Sequence, residues 1–97
     1  MLTLPIKKKW FDMIASGEKK EEYREIKPYY TARFHNRESE EENINKCILR
    51  NGYSKDSPSI GIDFWLDIGK GREDWGAEKG KLYYILIIKR VWKTKET

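Results

Sequence analysis

From Ile60 to Ile68 the chain alternates without interruption. Ile60, Ile62, Phe64, Leu66 and Ile68 fall on one side, and Gly61, Asp63, Trp65 and Asp67 on the other. A period of two places successive side chains on opposite faces, so this segment predicts a half-buried strand. The stretch from Leu82 to Trp92 is the most apolar of the chain and predicts a second strand, buried on both faces along much of its length. Between them, Gly69-Lys70-Gly71 to Gly80 reads as a long Gly-rich loop holding Trp75.

The other elements arrange themselves around that pair. Leu2-Thr3-Leu4 alternates as a short strand, and Pro5 ends it. From Ile6 to Ser16 the apolar residues Ile6, Trp10, Met13 and Ile14 recur at helical spacing, and Gly17 sits where a helix C′ glycine belongs. The second half of Glu18–Ile26 reads as a strand with Glu22, Arg24 and Ile26 on one face and Glu21, Tyr23 and Glu25 on the other. Pro28 to Phe34 predicts a short helical turn. The acidic stretch from His35 to Asn43 predicts a solvated loop. Ile44 to Arg50 predicts a strand closed by the Asn51-Gly52 turn. The order β-α-β-(short α)-β-β-β predicts an α+β fold. Its form would be a small, strongly bent mixed sheet or barrel of about five strands, with one main helix and a short second helix.

At 97 residues, with no repeat or linker, positions 1–97 are expected to form a single domain. The net charge of +4 favours polyanionic partners weakly. Its distribution says more. Acid concentrates in Glu38, Glu40, Glu41 and Glu42, and base in Lys7-Lys8-Lys9, Lys19-Lys20 and the stretch from Lys79 to Lys95. Lys7 to Lys9 occupy the first helical turn, which the helix dipole disfavours for cations. They form either a solvated face or a positive helix end that meets phosphate. Cys47 is the sole cysteine, so no internal disulfide is expected and a reducing compartment is. The start lacks the apolar core of a signal peptide, and no apolar run is long enough for a membrane span. The expected location is the cytoplasm.

Several chemistries find no support. Gly71 and Gly76 have phosphate-loop spacing, but Ala77-Glu78 follows them instead of Lys-Ser/Thr. No GxGxxG occurs. One His and one Cys cannot build a usual zinc site, and a Ser-His-Asp site would have to use His35. No cofactor and no metal are expected.

The informative segment is Gly17-Glu18-Lys19-Lys20-Glu21-Glu22-Tyr23-Arg24, which fits GxKxxExR at Gly17, Lys19, Glu22 and Arg24. Here the chain resembles the ASCH (activating signal cointegrator homology) family, relatives of the PUA RNA-binding domains. The opening LTLPIKKKWFDMI, the Trp75-Gly76-Ala77 triplet and the apolar strand after it extend the resemblance over nearly the whole chain. It is closest to the compact single-domain bacterial and phage members. The resemblance implies a PUA-like β-barrel with a cleft between helix and barrel, lined by the motif residues. It implies RNA, a nucleotide or a modified nucleoside as partner. Some relatives hydrolyse an acylated cytidine nucleoside, using a threonine nucleophile at the position that Glu22 holds here. Glutamate removes that hydroxyl, so the same mechanism is not expected.

The residues make their own case. Lys19 is a point charge suited to phosphate or a carbonyl, and Arg24 offers a planar fork for phosphate or a base edge. Glu22 can accept from a base or sugar hydroxyl, act as a general base, or hold Arg24 in an ion pair that orders the strand. Tyr23 and Trp75 are stacking candidates, as are Trp10, Tyr29, Tyr30 and Trp65. Lys7, Lys9 and Lys70 supply flanking charge. Gly69-Lys70-Gly71-Arg72 either approaches a phosphate or is solvated. Three readings follow: an RNA or nucleotide-binding module; a hydrolase of RNA or a modified nucleoside with Lys19 and Glu22 as catalytic residues; and a protein-interaction module using Glu38 to Glu42.

Overall fold

The structure is a computed structural model that describes residues 1–35 and 44–94, the side chain of His35 excepted. The acidic segment Glu38 to Glu42 and the end of the tail lie outside the described residues. The elements run β1 (Leu2–Pro5), α1 (Lys8–Ala15), β2 (Glu21–Glu25), α2 (Pro28–His35), β3 (Asn45–Arg50), β4 (Ser59–Lys70), a 3-10 turn (Glu73–Trp75) and β5 (Leu82–Lys93). The expected order holds. The second helix is as long as the first, at 8 residues each. Its apolar residues are aromatic (Tyr29, Tyr30, Phe34), and their tertiary contacts extend what local pattern showed only as a turn.

The strands form one mixed sheet in the order β1-β3-β4-β5-β2. β1 pairs with β3 in parallel, and the other pairs are antiparallel. β1 and β2 are therefore the two free edges of a curled half-barrel. The core fills its concave face: Leu4, Ile14, Cys47, Leu49, Ile62, Phe64 and Leu86 are buried, with Phe34 of α2 among them. Phe34 meets Phe64 and Tyr84 edge to face, at centroid distances of 6.3 and 5.3 Å. Cys47 is a small core residue here.

β4 forms where the alternation predicts a strand and runs on through Lys70, which shortens the loop that follows. Its burial does not alternate: every residue from Ser59 to Phe64 is buried, Gly61 and Asp63 included, and Ile68 on the expected inner face is exposed. β5 is buried from Tyr83 to Leu86 but exposed from Lys89 to Val91. Burial on both faces thus covers only its first part. A bulge between β4 and β5 pairs Asp63 with Arg90 and Phe64 with Ile88, leaving Lys89 as the extra residue.

Candidate functional site

α1 begins at Lys8, two residues later than expected. Ile6 precedes it and Lys7 is its extended N-cap rather than part of the first turn, with no side-chain cap and no acid in that turn. One cation is relieved locally, since Lys8 Nζ lies 2.6 Å from Asp12. The helix ends at Ala15 with Ser16 as its cap, and Gly17 takes φ 87°, the left-handed value glycine allows. That turn swings the chain back, and the amide of Lys19 donates to the Met13 carbonyl at 2.9 Å. Lys19 is thereby pointed inward. It is 1% exposed and ranks among the largest fully buried side chains.

Inside, Lys19 Nζ donates to Glu22 Oε1 and lies 5.4 Å from the ring centroids of both Trp10 and Tyr23. Glu22 Oε2 accepts from Arg24 Nη2 at 2.7 Å. The same nitrogen donates to the Pro5 carbonyl at 2.8 Å, and Nη1 makes a long contact of 3.4 Å to the Tyr30 hydroxyl. Arg24 Nε is buried with no hydrogen-bond partner among the described residues.

Register explains the depth. Glu22 lies opposite Leu86 and Arg24 opposite Tyr84, so both face the concave side as the alternation predicts. A strand of EEYRE would ordinarily be solvated. Here its charged face closes the half-barrel between two edges that do not pair, and the Arg24–Pro5 bond bridges β2 to β1. Burial drives the Lys19 ammonium below its usual pKa, with Glu22 offsetting part of the shift. Burial acts against Arg24 in the same sense, but Glu22 and Tyr30 outweigh it and leave the guanidinium raised.

Tyr23 faces the convex side. Its hydroxyl donates to Glu21 at 2.8 Å and accepts the Arg72 amide at 2.9 Å, and burial raises its pKa. This ties down the loop between β4 and β5. In that loop Gly76 adopts φ 102° with its α-carbon against Trp10; a β-carbon there would lie 2.9 Å from the indole. The loop thus lies on Trp10, which in turn covers Lys19. Trp75 is half-buried under the Arg72 guanidinium at 4.1 Å.

Of the residues expected at the site, Lys19, Glu22, Tyr23 and Arg24 converge. Lys9 sits on Trp10 at 4.6 Å, on the solvent side. Trp75 belongs to the covering loop. Lys70 is exposed at the end of β4. Lys7 lines an open groove of about 420 Å³ with Pro5, Ile6, Asn51, Gly52 and Tyr53, which adjoins the motif through Pro5. Lys19 is pinned by Glu22 and sealed from solvent, a property no charge pattern displays. The Pro5 carbonyl was not foreseen, because a backbone group carries no sequence signal. Among the described residues no three His, Cys, Asp or Glu side chains are grouped to hold a metal ion, and no helix is long and apolar enough to cross a membrane. No family model, curated protein or solved structure matches the chain.

Proposed function

We propose that the seam between β1, β2 and α1 is the ligand site of an RNA or nucleotide-binding module of ASCH type. One observation carries the reading: two buried cations, Lys19 and Arg24, share a single carboxylate, Glu22. Burying ions costs several kcal/mol each, and a hydrophobic replacement of the same volume often serves stability as well or better. An arrangement with one positive charge in excess suits an anion, and Arg24 still has an unpartnered N–H to offer it. The loop around Gly76 closes the Trp10 side, so the ligand enters as that loop lifts. Trp10 and Tyr23 then present faces to a base, while Lys7, Lys9 and Lys70 supply charge outside.

The test is binding of labelled single-stranded RNA and of a nucleotide at two salt concentrations, beside Lys19→Met. Salt-sensitive binding of intact RNA that this variant loses supports the module. Equal binding of RNA, DNA and heparin, unaffected by the substitution, refutes it.

The buried Lys19–Glu22 pair favours a second reading, a hydrolase in which Glu22 acts as general base on the attacking water and Lys19 stabilises the oxygen that gains charge. Shortened RNA or a hydrolysed acylated nucleoside, produced by the wild type and not by a folded Lys19→Met protein, would decide for it.

A further inference from the structure

The convex face of the sheet carries a second, separate arrangement. Asp63 is only 8% exposed and stands in a row across three strands, between Lys46 of β3 and Arg90 of β5. Lys46 Nζ lies 2.9 Å from its Oδ1 and Arg90 Nε 3.4 Å from its Oδ2. The Trp92 indole donates to Oδ1 at 3.0 Å. Burial alone would raise the Asp63 pKa; the hydrogen bonds from Lys46 and Trp92 and the charges of Lys46 and Arg90 lower it instead. The carboxylate acts as a fixed anchor, and both cations keep about half or more of their side chains in solvent.

The β5 bulge adds to this row. An extra residue brings two successive side chains to one face, and here they are Lys89 and Arg90. Lys89 Nζ lies 4.4 Å over the ring of Trp65, which is 45% exposed. Trp92 lies flat on the sheet because Gly61 beneath it has no side chain; a β-carbon there would overlap the indole carbons. Trp65 and the Gly61 under Trp92 are four residues apart on β4, about 14 Å at the strand rise. The strip is therefore an indole with Lys89 over it, then Lys46 and Arg90 on one carboxylate, then a second indole. On the same face Asp67 bounds it along β4 beyond Trp65, and Glu21 bounds it across β5 in the row of Trp65.

We infer that this strip is a single-stranded nucleic-acid contact surface, with Trp65 and Trp92 stacking bases and Lys46, Lys89 and Arg90 tracking phosphates. A duplex offers no unstacked base to an indole, and a protein partner would meet a net charge of two on a rigid sheet. A single strand matches both the alternation of ring and cation and the excess charge. The inference stands on residues other than the seam and does not need the seam to bind anything.

The experiment titrates a 12-nucleotide RNA containing 4-thiouridine into the whole protein, measures affinity against salt, and maps photo-cross-links. Trp65→Ala should weaken binding about tenfold, the effect of losing one stacked base, while Trp65→Phe recovers most of it. Lys89→Ala/Arg90→Ala should flatten the salt dependence by about 1.4 in slope, two phosphate contacts on a single strand. Circular dichroism confirms that these surface variants fold. Cross-links on Trp65, Trp92 or Lys89 establish the strip, whether or not the seam is labelled as well. Cross-links confined to Trp10, Tyr23 and Trp75 overturn the strip and leave the seam reading standing. Absence of RNA binding, or binding that Trp65→Ala and Lys89→Ala/Arg90→Ala leave unchanged, also overturns it.

Discussion

Glu22 is shared by two cations, and the substitutions that unbalance it act in opposite ways. Glu22→Gln leaves Lys19 and Arg24 charged, buried and uncompensated, and should destabilise the fold by about 3–5 kcal/mol in urea titration. Lys19→Met leaves one carboxylate with one guanidinium and fills a similar volume with apolar atoms. Its stability at neutral pH should fall within about 1 kcal/mol of the wild type, on either side. The same pair gives a pH test. Lys19 titrates lower in the fold than the 10.5 of an unfolded lysine, so between those two values the unfolded chain holds more protons. Stability then rises with pH across that window, as the buried charge is discharged. The wild type should gain on Lys19→Met as pH climbs toward 10, in paired urea titrations. Tyr23 is raised and weakens the fold only above its unfolded value of 10.0, and it is common to both proteins. A flat difference between wild type and variant would mean that Lys19 is not buried as described.

At the scale of elements, the loop between β4 and β5 is the piece that closes on the seam. The contacts that hold it include the Arg72 amide on Tyr23, the Glu78 amide on the Tyr83 hydroxyl at 3.0 Å, Lys81 on Glu25 at 3.5 Å, and Gly76 on Trp10. Gly76→Ala adds both left-handed backbone strain and a contact with the indole, costing about 1–2 kcal/mol. If a ligand enters by lifting this loop, the variant populates the open form more often, and stopped-flow association should be faster than for the wild type. An unchanged rate would place entry elsewhere, with the groove at Lys7 and Tyr53 the next place to look. Much at this scale was legible beforehand. The strict alternation of Ile60 to Ile68 announced β4, and the spacing of Ile6, Trp10 and Ile14 announced α1. The end of α1 was marked by Gly17. What pattern could not carry was long-range. EEYRE looks solvated until the curl of the sheet sets Glu22 against Leu86. Pro28 to Phe34 reads as one short helical turn until Phe34 finds Phe64 and Tyr84. Gly61 looks like a weak point in a strand until Trp92, 31 residues on, lies across it.

At the scale of the whole molecule, the sheet curls but does not close, and two different devices substitute for the missing β1–β2 ladder. One is apolar: Leu4 on β1 and Ile14 on α1 are buried in a shared core. The other is the polar bridge from Glu22 through Arg24 to the Pro5 carbonyl. The central strands β3, β4 and β5 are paired on both sides, whereas β1 is held laterally by β3 alone along four residue pairs. Local opening should therefore start at the β1–α1 corner, where the Ile6 amide bonds the Arg50 carbonyl at 3.0 Å. Arg24→Met removes the bridge and leaves Lys19 paired with Glu22. A hydrogen bond from a charged donor contributes about 1.5–3 kcal/mol, so amide exchange at Leu4 and Ile6 should quicken by about tenfold or more. Exchange at Ile62 and Leu86, in the central strands, reports the global stability and should change less. Uniform acceleration across all four would show that the half-barrel opens as one unit, with the seam as part of its core. Acceleration confined to the β1–α1 corner would show a molecule whose weakest line runs through its candidate site, the place where a ligand bridging Arg24 and Lys19 would add most to its stability.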